Sequence, residues 1–337
     1  MSSGSASGRK AVTMQDIADR VGVSKALVSL VLRHAPGPSD QTRTKVLAAA
    51  AELKYRPDRA AALLSARRSH MIGVVADVRN AFHAEMVEHL IARADAVGYE
   101  VVLGPVTPTH PEDRVVDTLI DFRCEAMVLL GSELPAERLA DLAADVPTVV
   151  VGRRVTVPGV DVVRVDDNRG VRVAIDHLVD LGHRHIAHLS GGGQIAADRR
   201  RGYERAMRRH GLGEKMVVYD GDFTEVSGAH IGETLLARTP EITAVLAGND
   251  RIAIGFLETL WRAGVPVPER VSVVGYDDST IARWAHIDLT SVGQAASDQA
   301  HSAIDAVVAR LDDGPARPAV TVFAPRLVVR GTTAAPS

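Results

Sequence analysis

The sequence predicts two fold classes in one chain: an N-terminal all-α three-helix helix-turn-helix head, then an α/β core of two parallel-sheet, Rossmann-like subdomains. Three observations predict this. Residues 12–32, VTMQDIADRVGVSKALVSLVL, set small, apolar and capping residues at the spacing of two short crossing helices. From Met71 onward, short β-rich apolar runs alternate with helix-compatible segments, the pattern of βαβ units in parallel sheets. Charge divides at the same place. Of 39 Lys and Arg and 42 Asp and Glu, the first 70 residues hold 12 and 5, which leaves 27 and 37 for the rest.

In the head, Thr13 is expected to cap the first helix, with Asp16 closing a box-like N-terminus and Met14, Ile17, Ala18 and Val21 forming an apolar stripe. Gly22 supplies the left-handed backbone of the turn, and Ala18 is small enough for a second helix to cross closely. Ser24 caps that helix. Leu27, Val28 and Val31 are expected to face the core, leaving Lys25, Ala26, Ser29, Leu30 and Arg33 outside or at the edge. Ser39 or Asp40 starts a third helix running to about Leu53, with Val46, Leu47, Ala50 and Leu53 inward. An ordinary helical hairpin would share this periodicity. The agreement of Ala18, Gly22 and the Ser24 cap with a basic segment favours a DNA-reading head whose second helix enters the major groove.

In the core, strands are expected at 71–76, 101–103, 126–130, 148–151, 162–165, 185–189, 217–219, 244–247 and 271–274. Helix-compatible segments lie at 84–97, 114–122, 170–181, 199–210, 226–237 and 251–263. The strands end in Asp77, Gly131, Gly152, Asp166, Gly191, Asp220, Asn249 and Asp277, where open α/β sheets bind ligands.

Composition narrows the function classes. Hydrophobic residues make up 46% of the chain, ample for burial, and no run of about 18 apolar residues predicts a membrane span. No export signal precedes the head and Cys124 is the single cysteine, so the expectation is a cytoplasmic protein without a disulfide framework. His183, His185 and His188 lie close together without a carboxylate or cysteine at ligand spacing, so no metal site is expected. Gly191–Gly193 lacks the Lys-Ser/Thr of a phosphate loop, and no Gly-x-Ser-x-Gly occurs. The expectation is a non-enzyme without cofactor.

Several separated segments together resemble the LacI/GalR family of bacterial transcription regulators. They are VTMQDIADRVGVSKALVS, Leu53-Lys54-Tyr55-Arg56-Pro57, His177-Leu178 with Leu181-Gly182-His183-Arg184-His185-Ile186, Asn249-Asp250, and Val273-Val274-Gly275-Tyr276-Asp277-Asp278. The resemblance implies a tail over 1–10, a head over 11–56, a hinge over 57–69 and a periplasmic-binding-protein-like core over 70–337. The first subdomain would span about 70–167 and 295–320, the second about 168–294 and 321–332.

Residue roles carry over by position. Lys25, Ala26, Ser29 and Leu30 fall on base-reading positions. Thr13, Ser24, Arg33, Arg43, Lys45 and Arg59, with Arg9 and Lys10, would meet phosphates, and Leu64 matches the hinge wedge that enters the minor groove. Leu27 and Leu30 depart from the family's Thr and Arg, and leucine cannot donate a hydrogen bond, so the family's operator sequence is not carried over. Around the pocket, Phe82, Arg199, Phe223, Asn249 and Asp277 match ligand-binding positions, with Arg153 and Trp284 as further candidates. Asn80-Ala81-Phe82 lacks the proline of the family's Asn-Pro-Phe turn, and Arg153 leaves a phosphorylated or acidic ligand open beside a sugar. The implied partners are a pseudo-palindromic double-stranded operator, a small-molecule effector and a second copy of the chain. No terminal leucine heptad supports a tetramer. The competing readings are a solute-binding protein without a DNA role and a constitutive DNA-binding protein with a vestigial pocket.

Overall fold

Three capped helices form the first of the two units into which the chain divides, residues 1–68 and 69–337. The computed structural model describes residues 12–33, 35–55, 68–239, 241–314 and 318–337.

In the first unit, helices α1 (Met14–Val21), α2 (Lys25–Leu32) and α3 (Asp40–Glu52) each begin at a hydroxyl cap. Thr13 Oγ1 accepts the Asp16 N–H at 3.3 Å, and the Asp16 carboxylate accepts the Thr13 N–H at 2.7 Å, a reciprocal capping box. Gly22 ends α1 at φ 75°, a left-handed conformation that a side chain would oppose. Ser24 Oγ accepts the Leu27 N–H at 3.2 Å, and Ser39, rather than Asp40, caps α3 by accepting the Thr42 N–H at 3.3 Å. Ile17, Ala18, Val28, Val31, Val46, Ala49 and Ala50 make the small core. Two expected core residues lie outside it. Leu47 is 40% exposed, because Val46, Ala49 and Ala50 hold the i, i+3, i+4 face and leave it to one side. Leu27 is half-buried for the same reason: Val28, Val31 and Leu32 hold the inward stripe of α2.

The second unit holds two six-stranded sheets. The first has the order β11-β5-β4-β3-β1-β2, from β1 (Met71–Asp77), β2 (Glu100–Val106), β3 (Ala126–Leu130), β4 (Thr148–Val151), β5 (Val160–Val165) and β11 (Val320–Phe323), all parallel. The second has the order β12-β10-β9-β8-β6-β7, from β6 (Ile186–Leu189), β7 (Val217–Tyr219), β8 (Ala244–Ala247), β9 (Ser272–Asp277), β10 (Thr290–Gly293) and β12 (Arg326–Val328). It is parallel except for β12, which runs antiparallel beside β10 and departs from the expected all-parallel pattern. A chain returning directly from the first sheet has no helical crossover to make a parallel neighbour.

Helices cover both faces of each sheet. On the first, α4 (Ala81–Ala96) and α11 (Ala296–Asp313) bury Met86, Leu90, Ile304 and Val307 on one side. On the other, α5 (Glu112–Asp121) and α6 (Ala136–Asp145) bury Val116, Leu119, Leu139 and Leu142. On the second sheet, α7 (Asp167–Asp180) and α8 (Gly193–Arg209) lie on one face, and α9 (Glu225–Arg238) and α10 (Asp250–Arg262) on the other. Each such buried side chain contributes about 1.5–3 kcal/mol against exposure.

Elements β10, β11, β12, α6 and α11 fall outside the segments that apolar alternation picks out. β10 is buried yet begins Thr-Ser, because Thr290 Oγ1 donates to Arg330 O at 3.2 Å and Ser291 Oγ to Asp250 at 2.6 Å. The chain passes between the sheets after β5, after β10 and after β11. The last passage follows Phe323 rather than residue 320, since Val320–Phe323 pair with Val162–Val165 in the first sheet.

Candidate functional site

The head presents the base-reading candidates on one helix. Lys25 and Ala26 are exposed in the first turn of α2, and Ser29 and Leu30 are half-buried one turn later. Arg33 is exposed at the end of α2, its Nε donating to Ser29 O at 3.3 Å. Lys45 is exposed on α3, whereas Arg43 is half-buried and spends one N–H on Ala35 O at 3.0 Å. Thr13 and Ser24 use their hydroxyls as caps at helix N-termini, whose free N–H groups favour anions. Arg9, Lys10, Arg59 and Leu64 lie outside the described residues, as does most of the hinge segment.

In the second unit, the carboxyl ends of the two sheets open on a shared cleft of about 650 Å³. Asp77, Phe82, Glu112 and Glu133 line it from the first subdomain; Arg199, Phe223, Asn249, Asp277 and Gln294 line it from the second. Asn80 Oδ1 caps α4 by accepting the Phe82 N–H at 3.0 Å, so the turn forms with Ala81 in place of proline and holds Phe82 at the cleft. Asn249 caps α10, accepting the Ile252 N–H at 2.9 Å, while its Nδ2 donates to Phe223 O at 3.3 Å. Phe223 is held at φ 63°, and its ring lies so close to Gly191 that a Cβ there would be 2.4 Å away. Gly191 is therefore glycine to admit an aromatic ring.

Arg199 is the electrostatic centre. Its Nε donates to Asp167 Oδ1 at 2.9 Å and its Nη1 to Gly248 O at 2.6 Å; Asp277 Oδ1 is 3.8 Å from Nη1, and the guanidinium lies 3.7 Å above the Tyr276 ring. Burial drives the Asp277 carboxyl well above the usual range, and Asp250 adds to this, although Arg199 opposes it. Gln294 donates to Asp277 at 2.5 Å, which fixes the carboxyl at the cleft floor. His83 also lines the cleft. Burial pushes it down to about 4. Its Nδ1 accepts the Asp77 N–H at 3.1 Å, so the proton of the neutral ring sits on Nε2.

The charge balance of the cleft is specific. Its cations already have carboxylates: Arg79 with Asp77 at 3.2 Å, Arg199 with Asp167 at 2.9 Å, and Arg251 with Glu225 at 2.6 Å. Its acids are less satisfied. Glu112 Oε2 accepts the Glu133 N–H at 2.9 Å, but Oε1 is buried with no hydrogen-bond partner, and burial raises this carboxyl. A buried acceptor without a donor costs about 1–3 kcal/mol, which a ligand hydroxyl would recover.

The structure thus brings Phe82, Arg199, Phe223, Asn249 and Asp277 together. It does not bring Trp284 or Arg153 into the lining. Trp284 is 49% exposed; it follows the single turn Thr280–Arg283 and stacks on His286 instead of ending a strand. Arg153 donates from Nη2 to Leu134 O at 2.8 Å, keeps its Nε buried without a hydrogen-bond partner, and attracts Glu112. Sequence reasoning missed His83, Glu112, Glu133, Arg251 and Gln294. All lie in helix first turns or in loops after strands, and position relative to a strand end was the one signal that could have found them.

Comparison with known proteins places this geometry. Residues 13–58 match the model for bacterial regulatory proteins of the lacI family, and residues 175–333 match that for a periplasmic binding protein-like domain. The chain is 33% identical over 335 residues to the HTH-type transcriptional regulator AscG of Escherichia coli (strain K12), covering 96% of this chain and 99% of that protein. The chain belongs to the lacI family. This lacI-family protein is a DNA-binding transcriptional regulator. Its structure is similar to that of the lac repressor dimer bound to operator and the anti-inducer ONPF, with TM-score 0.83, 28% identity, and coverage of 97% of this chain and 100% of that one. It is also similar to the transcriptional regulator CelR in complex with cellobiose, with TM-score 0.69, 30% identity, and coverage of 95% and 99%. Among the described residues, no helix of the regulator is long and apolar enough to cross a membrane.

Proposed function

We propose that this regulator is a cytoplasmic, homodimeric repressor whose operator affinity is set by an uncharged polyol, a sugar or glycoside, held in the 650 Å³ cleft. The observation that carries the ligand class is the charge balance: each cleft arginine has its carboxylate, while Glu112 keeps a buried acceptor open. A phosphate or carboxylate ligand would meet compensated arginines and surplus acid, whereas hydroxyls would donate to Glu112 and accept from Asn249 and Arg199. Phe82 and Phe223 offer apolar faces to sugar C–H groups. The complexes of the lac repressor with ONPF and of CelR with cellobiose support a ligand of this size and type.

On DNA, α2 would read the major groove with Lys25, Ala26, Ser29 and Leu30, of which only Lys25 and Ser29 can hydrogen-bond base edges. Thr13, Ser24, Arg33, Arg43, Lys45 and Arg59 would fix register on phosphates. Two copies would meet a pseudo-palindromic site, with Leu64 of each hinge as the minor-groove wedge. No catalytic role is assigned to any residue.

The test is a thermal-shift screen with neutral mono- and disaccharides beside sugar acids and phosphates, followed by gel shift with operator DNA. A neutral saccharide is expected to raise Tm and change operator affinity, with both effects lost in Asp277→Asn. If only charged ligands act through Asp277, the reading fails.

A further inference from the structure

We propose that a second cleft, between two helices of the second subdomain, binds a phosphorylated small molecule through its phosphate group. The cleft lies between α7 and α8, has a volume of about 280 Å³, and is lined by Arg169, Arg172, Arg205 and Arg209. Asp166 is the one acid in the lining, and it is engaged in capping α7 by accepting the Arg169 N–H at 3.2 Å.

Helical spacing builds the site. Arg169 and Arg172 are three apart on α7, and Arg205 and Arg209 four apart on α8, so each pair shares a face. Gly202 lets the helices close on each other: a Cβ there would lie 3.1 Å from Val171 Cβ. The same helix α8 shows what an ordinary surface arginine does here. Arg200 pairs with Glu204 and Asp220, Arg201 with Asp198, and Arg208 with Glu204. Of the four cleft arginines, Arg205 donates to the neutral Asn168 side chain, and among the described residues no carboxylate pairs with any of them. Four like charges around one small cavity repel one another. An anion relieves that repulsion. Planar guanidinium forks on two facing helices suit the tetrahedral oxygens of a phosphate better than a carboxylate alone.

The test uses the full chain and isothermal titration with inorganic pyrophosphate and with glycerol 3-phosphate, at 50 and 150 mM KCl. Both probes are expected to bind at the lower salt, and pyrophosphate to remain bound at the higher. Arg205→Gln/Arg209→Gln is expected to weaken binding at least about tenfold, and Arg169→Gln/Arg172→Gln likewise. Arg200→Gln, which removes a guanidinium of α8 outside the cleft, is expected to leave affinity unchanged. Thermal melts of each variant check that the fold is kept, which the exposure of Arg169, Arg205 and Arg209 favours. The basic head also attracts anions, so cleft variants that bind both probes as tightly as the wild type would overturn the proposal. So would a wild type that loses all binding at 150 mM KCl, the mark of diffuse attraction.

Discussion

His188 shows how one residue links a buried hydrogen bond to solution behaviour. Its Nδ1 lies 2.9 Å from Leu246 O and therefore carries the proton, while Nε2 is buried without a partner. Burial pushes the group from 6.5 down to about 4. The unfolded chain takes up this proton first as pH falls from 6.5, so the neutral ring's contribution is present above 6.5 and lost progressively toward 4. That contribution is worth about 3.5 kcal/mol at most, from ~1.4 kcal/mol per pKa unit. Asp250, raised to about 6 by burial, works in the opposite direction over the same range, and His83, pushed down to about 4, in the same direction, so the wild-type profile mixes several groups. The difference between wild type and His188→Phe isolates the histidine. Its Tm gap is expected to narrow between pH 6.5 and 4, and a constant gap would refute the assignment. A neighbouring histidine is structural too: His183 joins Thr243 Oγ1 at 2.9 Å and Ala334 O at 2.9 Å, tying the C-terminal segment to the sheet.

Among elements, α9 and α10 make the tightest crossing. A Cβ on Gly255 would fall 1.9 Å from Glu225 O, and one on Gly228 2.2 Å from Ile252 O, both backbone atoms that cannot swing aside. Gly255→Ala is therefore expected to cost about 3 kcal/mol or more by forcing the helices apart. Thermal melts should show the core transition falling while the head, a separate unit, keeps its own. Elements with strong local signals were legible: the caps at Thr13 and Ser24, the turn at Gly22 and nine strands of apolar residues. The others were not, for a physical reason. β10 satisfies its hydroxyls through long-range bonds to Asp250 and Arg330, and β11 and β12 are short edge strands that need little apolar character.

For the whole molecule, the two subdomains of the core are joined outside the cleft by Glu85 of α4 and Arg283, 2.9 Å apart. A partly exposed pair of this kind contributes about 0.2–1 kcal/mol. Glu85→Gln is expected to weaken saccharide affinity by no more than a few-fold, measured by titration, with the cleft residues intact. A loss of a hundredfold would mean that Glu85 holds ligand directly. At the DNA end, Leu64→Ala is expected to reduce operator affinity while leaving the salt-sensitive attraction to random DNA; equal loss of both, read by gel shift at two salt concentrations, would remove the wedge role.

By itself the sequence determined the division of labour: a basic, capped three-helix head and an acidic α/β core with polar strand ends. Those features are local, written in caps, periodicity and charge within a few residues. Tertiary structure decided which strand ends meet. It brought Asp77, Asn249 and Asp277 to one cleft, added Glu112 and His83, and left Asp220 and Trp284 out of the lining. It also decided the state of Arg199, which counts as a free cation in the sequence and is paired with Asp167 in the fold. Pairing across more than 30 residues depends on how helices cross and where strands pair, and no local pattern records it.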